Sequence, residues 1–146
     1  MKASVLSKMA IATTCFFATA TSAPLASEKR EFNLCGDSTF VDESTGGSPL
    51  ASDCEQLWRN NNQYPFHQLT LGIERRLLTW GTCAFSATAV VTPYLDGIWW
   101  TNIGDEDITD LVRDSISKFT RTGRVGARGR AECYEDTVID WRIHHT

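Results

Sequence analysis

The sequence lacks the features that announce a familiar enzyme or a membrane protein. It has no Gly-x-Ser-x-Gly elbow, no His-Glu-x-x-His pair and no phosphate-binding loop, so the common nucleophile, zinc and nucleotide signatures are missing. Histidine is scarce, confined to His67, His144 and His145. No two cysteines stand in C-x-x-C spacing, which leaves a structural zinc site without a ligand pattern. No Asn-x-Ser/Thr triplet offers an N-glycan acceptor. The one sustained apolar stretch, Met9 to Ala20, is too short to span a bilayer and has no stop-transfer pattern behind it. Nothing repeats internally and nothing is low-complexity, so a solenoid or a compositionally disordered chain is excluded.

What is present begins with an export signal. Lys2 and Lys8 give a positive n-region before the Met9–Ala20 stretch, and Ala18 and Ala20 form an A-x-A cleavage site. Residues 1–20 are therefore expected to be a signal peptide. Ser27-Glu28-Lys29-Arg30 then suits a dibasic processing protease, which makes 21–30 a candidate propeptide and 31–146 the mature domain of 116 residues. Cys15 leaves with the signal, turning five cysteines into four.

Charge shifts with processing. The whole chain has 14 basic and 18 acidic residues, net −4; residues 31–146 keep 10 and 17, net −7, and nine of the ten bases are arginine. Such an acidic chain is not expected to bind nucleic acid or an anionic membrane. Its length points to one domain with a small core.

Cys35, Cys54, Cys83 and Cys133 have 18, 28 and 49 residues between successive members. An even count in a small exported domain reads as a disulfide framework. Three connectivities are open. The favoured one is Cys54–Cys83, pinning a helix to the sheet, with Cys35–Cys133 tying the N-terminus to a late strand.

Periodicity supplies the elements. Ser48 as N-cap and Pro49 at the first helical position open a helix, with Leu50, Cys54, Leu57 and Trp58 on one face and Asn60-Asn61-Asn62 at its end. Tyr64 to Trp100 is rich in strand formers, Leu78 to Val91 most of all. Ile98-Trp99-Trp100 is a short strand before the second helix. That helix carries Ile108, Leu111, Val112, Ser115, Ile116 and Phe119 on one face, with Asp105, Glu106 and Asp107 at its dipole-favoured start. Gly123 marks its end. From Arg124 to His144 the pattern alternates, as two strands with a turn near Glu135-Asp136. The expected fold is α+β: a small disulfide-stabilised sandwich, an antiparallel sheet with two helices on one face.

Three side-chain groups could carry chemistry. Arg121, Arg124, Arg128 and Arg130 stand among Gly123, Gly126 and Gly129, a basic patch suited to a phosphate, a sulfate or an acidic partner, unless they merely pair with Asp105, Asp107 or Asp110. Trp99 and Trp100 point to opposite faces of a strand, so one is core and the other is free to stack on a sugar ring or anchor an interface. His67, Glu74, Arg76 and His144 are the residue types of a small secreted ribonuclease, although no spacing selects them. No catalytic residue, metal ligand or cofactor is assigned.

The ordered set Cys35-Gly36-Asp37-Ser38-Thr39-Phe40, Ser48-Pro49-Leu50, Asp53-Cys54, Gly81-Thr82-Cys83-Ala84-Phe85, Ile103-Gly104, Asp107-Ile108, Asp110-Leu111-Val112, Asp114-Ser115-Ile116, Phe119, Gly123 to Ala127, Cys133 and Val138 to His144 resembles the fungal extracellular effectors with the putative necrosis-inducing factor domain. The likeness spans essentially the whole of 31–146, except Tyr64–Arg76, where no family pattern is visible. It implies a secreted fungal effector with intramolecular disulfides, active in virulence and host cell death; the leading reading is therefore a non-enzymatic, extracellular effector located in the host apoplast. Its partner would be a host protein or cell-surface component, bound by a monomer through Trp99, Trp100, Arg124, Arg128 and Arg130. A killer-like antimicrobial toxin against competing fungi and a small secreted ribonuclease are the alternatives. The resemblance supplies no catalytic residues. Some members of the family carry the domain beside chitinase modules.

Overall fold

The computed structural model describes residues 32–91 and 100–146. The expected signal peptide, the propeptide with its dibasic site, and Trp99 lie outside them. In chain order the elements are β1 (Cys35–Ser38), β2 (Val41–Asp42), α1 (Ala51–Arg59), β3 (Phe66–Thr70), β4 (Arg75–Trp80), β5 (Cys83–Val91), β6 (Trp100–Gly104), α2 (Asp105–Phe119), β7 (Ala127–Cys133) and β8 (Thr137–His145), with one 3-10 turn at Tyr134–Asp136. The fold is α+β, small and disulfide-stabilised. The strands divide between two sheets. The main antiparallel sheet has the order β1-β7-β8-β5-β4, with β2 also on β7, while β3 and β6 form a separate antiparallel pair.

Alternation along β8 organises the core. Ile139, Trp141 and Ile143 are buried, and Val138, Asp140 and Arg142 point the other way. The same face continues sideways through Phe85↔Ile143, Ala87↔Trp141 and Ala89↔Ile139 on β5, and through Ala127, Gly129 and Ala131 on β7. The large indole of Trp141 thus lies in one row between two small residues, Ala87 and Gly129. A Cβ at Gly129 would collide with the Thr39 carbonyl and come within 2.7 Å of the Trp141 ring, so close packing requires glycine there. Phe85 stacks on Trp141 with centroids 6.3 Å apart, and Phe40 meets it edge-on at 5.2 Å.

Both helices add their buried stripes to this core: Cys54 and Leu57 from α1, and Ile108, Leu111, Val112 and Ser115 from α2. Two disulfides staple the assembly. Cys54–Cys83 (S–S 2.03 Å) joins α1 to the first residue of β5, and Cys35–Cys133 (2.06 Å) joins two residues directly opposed on β1 and β7.

Local details depart from the sequence reading. The first helix starts at Ala51 after Leu50, not at Ser48-Pro49. Residues 48–50 are held extended against 123–125: Leu50 bridges Arg124, the Val125 N–H donates to the Pro49 carbonyl at 3.1 Å, and the Arg124 guanidinium donates to the Ser48 carbonyl at 2.6 Å. The Ser48 hydroxyl accepts from the Thr45 N–H instead of capping α1. The stretch from Leu78 to Val91 is the end of β4 and all of β5, turning at Gly81-Thr82. The acidic first turn of α2 holds the N-terminal segment. Asp107 accepts from the N–H groups of Leu34, Cys35 and Gly104, and Asp105 accepts from that of Phe32. Burial pushes the Asp107 carboxyl up, against the pull of its three backbone donors.

Candidate functional site

Residues that alternate with the core row form the outer face of the main sheet, and a groove of about 440 Å³ runs across it. Strand β7 contributes Arg128 and Arg130, β8 contributes Asp140 and Arg142, and β5 contributes Ser86 and Thr88. Val41 of β2 and Glu74, just before β4, close its two sides.

Register sets the charge pattern. Arg130 and Asp140 are directly opposed on β7 and β8, and the guanidinium grips the carboxylate with both Nε (2.8 Å) and Nη2 (3.3 Å). This fork holds the Arg130 guanidinium still more firmly in its charged form. Two positions along the same strands, Arg128 and Arg142 are also directly opposed. Like charges facing each other across a ladder are destabilising. Each is drawn to a different acid: Arg128 to Glu43 at 2.8 Å and Arg142 to Glu74 at 3.8 Å. All these side chains are about half exposed, so the pairs lie in high dielectric, where such contacts are worth roughly 0–1 kcal/mol.

His144 lies on this face beside the groove. Its Nδ1 meets the His145 carbonyl at 2.8 Å, an atom that only accepts, so Nδ1 carries the proton and Nε2 accepts from the Ser86 hydroxyl at 2.8 Å. Burial pulls the imidazole pKa down, as do Arg142 and Arg76; the His145 bond and Glu74 oppose this. Ser86 is only 1 % exposed, so the pair anchors the ring against the sheet.

The structure separates the residues that the sequence grouped. Arg128 and Arg130 share the outer groove, whereas Arg124 is engaged with Ser48 in the extended segment before α1 and Arg121 pairs with Asp42 at 3.3 Å. None of these arginines pairs with Asp105, Asp107 or Asp110; Asp110 takes Arg113 instead. Trp100 opens β6 and is 49 % exposed, on the small sheet and away from the arginines. The ribonuclease set is divided: Glu74 and Arg76 act electrostatically on His144, while His67 lines a different groove. Asp140, Arg142 and Glu43 carry no sequence signal of a site, and Glu74 enters only as a member of the ribonuclease set. The alternation of β8 had placed Asp140 and Arg142 on one face, but only the strand register shows what they face.

Among the described residues no three His, Cys, Asp or Glu side chains cluster as a metal site, and no helix is long and apolar enough to cross a membrane.

Residues 34–133 match the model of the Hce2 family, described as a pathogen effector, putative necrosis-inducing factor. A protein of Penicillium expansum named "Probable chitinase LysM18" is 33% identical over 115 residues, 75% of this chain. The chain spans 8% of that relative's length. With a family match over residues 34–133, the chain belongs to the Hce2 pathogen-effector family.

Proposed function

We propose that the mature domain is a secreted, extracellular effector that works by binding rather than catalysis. Its ligand is an acidic component of a host plant cell, taken up in the outer groove of the main sheet, and the outcome is host cell death or defence. The observation that carries this reading is Arg128 set directly opposite Arg142. That arrangement costs stability in the free protein, and the ion pairs offsetting it are weak and exchangeable. A ligand carboxylate, phosphate or sulfate between the two guanidinium groups would relieve it with charge-assisted bonds. The disulfide-stapled sheet presents these groups with little ordering cost.

Family membership supports the effector role, and the disulfides suit an oxidising, extracellular setting. The test is infiltration of oxidised residues 31–146 into leaves of several plant genotypes, beside the Arg128→Ala/Arg142→Ala variant. Genotype-dependent death that the double variant loses supports the reading; death that the variant retains removes the groove from it. A second reading, a toxin against competing fungi, draws on the relative named as a chitinase. Growth inhibition of other fungi without any leaf response would favour it.

A further inference from the structure

A second groove, of about 370 Å³, lies between the C-terminal end of α1, the small sheet and β4, and differs in chemistry from the first. Among the described residues its lining contains no Asp, Glu, Lys or Arg, in a chain where 22% of residues are charged. Two aromatic rings border it, Tyr64 (62 % exposed) and Trp80 (46 % exposed). Between them stand the amides of Asn60, Asn61 and Gln63 and the imidazole of His67.

These groups are held in place before any ligand arrives. Asn60 donates an amide N–H to the Gln56 carbonyl at 2.7 Å, and Asn61 donates to that of Asp105 at 2.8 Å. The Tyr64 and His67 rings meet edge to face with centroids 6.2 Å apart. Trp80 is paired with Cys83, whose disulfide to Cys54 fixes the hairpin to α1. Among the described residues, His67 Nε2 is buried with no hydrogen-bond partner. Burial also pulls this imidazole pKa down, keeping it neutral at neutral pH, with Asp105 opposing and Arg75 assisting.

We infer that this groove binds a neutral pyranose oligosaccharide, with Tyr64 and Trp80 stacking on sugar faces and Asn60, Asn61 and Gln63 taking hydroxyl or amide groups. A sugar ring has an apolar face of C–H groups and an equatorial rim of hydroxyls. It therefore calls for exposed amphipathic aromatics beside uncharged donors and acceptors. Among the described residues no charged side chain lines the groove to meet a charged ligand directly, and a purely apolar one would leave the amides unsatisfied. The volume falls within the ordinary range for a small-molecule site. The site is separate from the outer arginine groove and stands whether or not that groove binds a host component.

Isothermal titration calorimetry of the oxidised 31–146 protein against cellohexaose, xylohexaose, laminarihexaose and chitohexaose tests this, the four arms distinguishing plant-wall from fungal-wall sources. At least one hexaose is expected to bind. Trp80→Ala and Tyr64→Ala should each weaken it about ten-fold, the scale of one aromatic contact, and Arg113→Ala on the exposed side of α2 should leave it unchanged. Tyr64 is the more exposed ring and so the safer substitution for the fold; an unchanged near-ultraviolet dichroism spectrum shows that the variant is folded. Binding of none of the four sugars overturns the inference, as does binding that survives both aromatic substitutions. Capture of an extended peptide along β4, an edge strand, with no heat from any sugar, overturns it as well.

Discussion

Asp53 and Thr82 stand immediately before the disulfide partners Cys54 and Cys83, and they are bonded too: Asp53 Oδ2 accepts from the Thr82 N–H at 2.8 Å and from its hydroxyl at 2.7 Å. Two consecutive residues of α1 thus grip the last residue of the β4–β5 turn and the first of β5, one pair covalently and one by hydrogen bonds. The Thr82 hydroxyl in turn accepts from the Leu50 N–H at 2.9 Å, which fixes the entry to α1.

The bonds from the Thr82 N–H and hydroxyl hold the Asp53 carboxyl below its ordinary pKa. A carboxylate depressed in the folded state contributes stability above its unfolded value of about 4, and that contribution is lost as pH falls through the folded value. Melting temperatures of wild type and Asp53→Asn should therefore differ at neutral pH and converge in strong acid. A difference that stays constant down to pH 2 would refute the clamp.

Gly81 sits at φ +53° in the same turn, and a Cβ there would lie 2.6 Å from the Asp53 carboxylate. Both the backbone and the clamp oppose a side chain. Gly81→Ala should destabilise by more than about 1 kcal/mol, the usual scale for a substitution incompatible with its backbone. Urea denaturation measures this, and a neutral result would mean that the turn can adopt another conformation.

Removing the two disulfides should have unequal effects. Cys35–Cys133 spans 98 residues and Cys54–Cys83 spans 29. Loop-closure entropy puts their loss at roughly 4–5 and 3–4 kcal/mol respectively. Paired serine substitutions with denaturant midpoints would check the order. A larger loss from Cys54–Cys83 would mean that packing of α1 on the hairpin outweighs chain entropy.

His67 and His144 both have imidazoles whose pKa burial pulls down. Each contributes stability that is complete above the unfolded value of about 6.5 and declines as pH falls towards the lower folded value. The melting temperature should drop between pH 7.5 and 5, and His144→Gln, which can keep a bond to Ser86, should flatten that slope. An unchanged slope would place the acid sensitivity elsewhere.

Much of this architecture was legible because it is local. The alternation of Ile139, Trp141 and Ile143 marks a strand with one buried face, and the apolar stripe from Ile108 to Phe119 marks α2. What escaped was set by contacts distant in sequence. Ser48-Pro49 has the local signature of a helix start, yet the bridge from Leu50 to Arg124 holds that segment extended. The Gly81-Thr82 turn carries no Asn-Gly or Asp-Gly signal, so Leu78 to Val91 reads only as a strand region, and the Asp53 clamp on Thr82 is not visible in the sequence. Tyr64, in the loop before β3, and Trp80, at the end of β4, border one groove only in the folded chain. The same is true of Glu43, Glu74, Arg128 and Arg142, which register and chain path bring to one face.

The opposition of Arg128 and Arg142 separates a structural role from a binding one. If the two served the fold, neutralising one would destabilise it. If they serve a ligand, Arg142→Gln removes a like-charge contact and only a 3.8 Å ion pair to Glu74, so stability should hold within about 0.5 kcal/mol, or rise slightly at low salt. The gain should fade as salt screens the pair. Thermal denaturation of Arg142→Gln at 20 mM and 500 mM sodium chloride, run beside the leaf assay, reads both properties at once. A stable variant that has lost activity assigns the pair to recognition. A variant destabilised by 2 kcal/mol or more assigns it to the sheet, because an exposed pair in water does not contribute that much to folding.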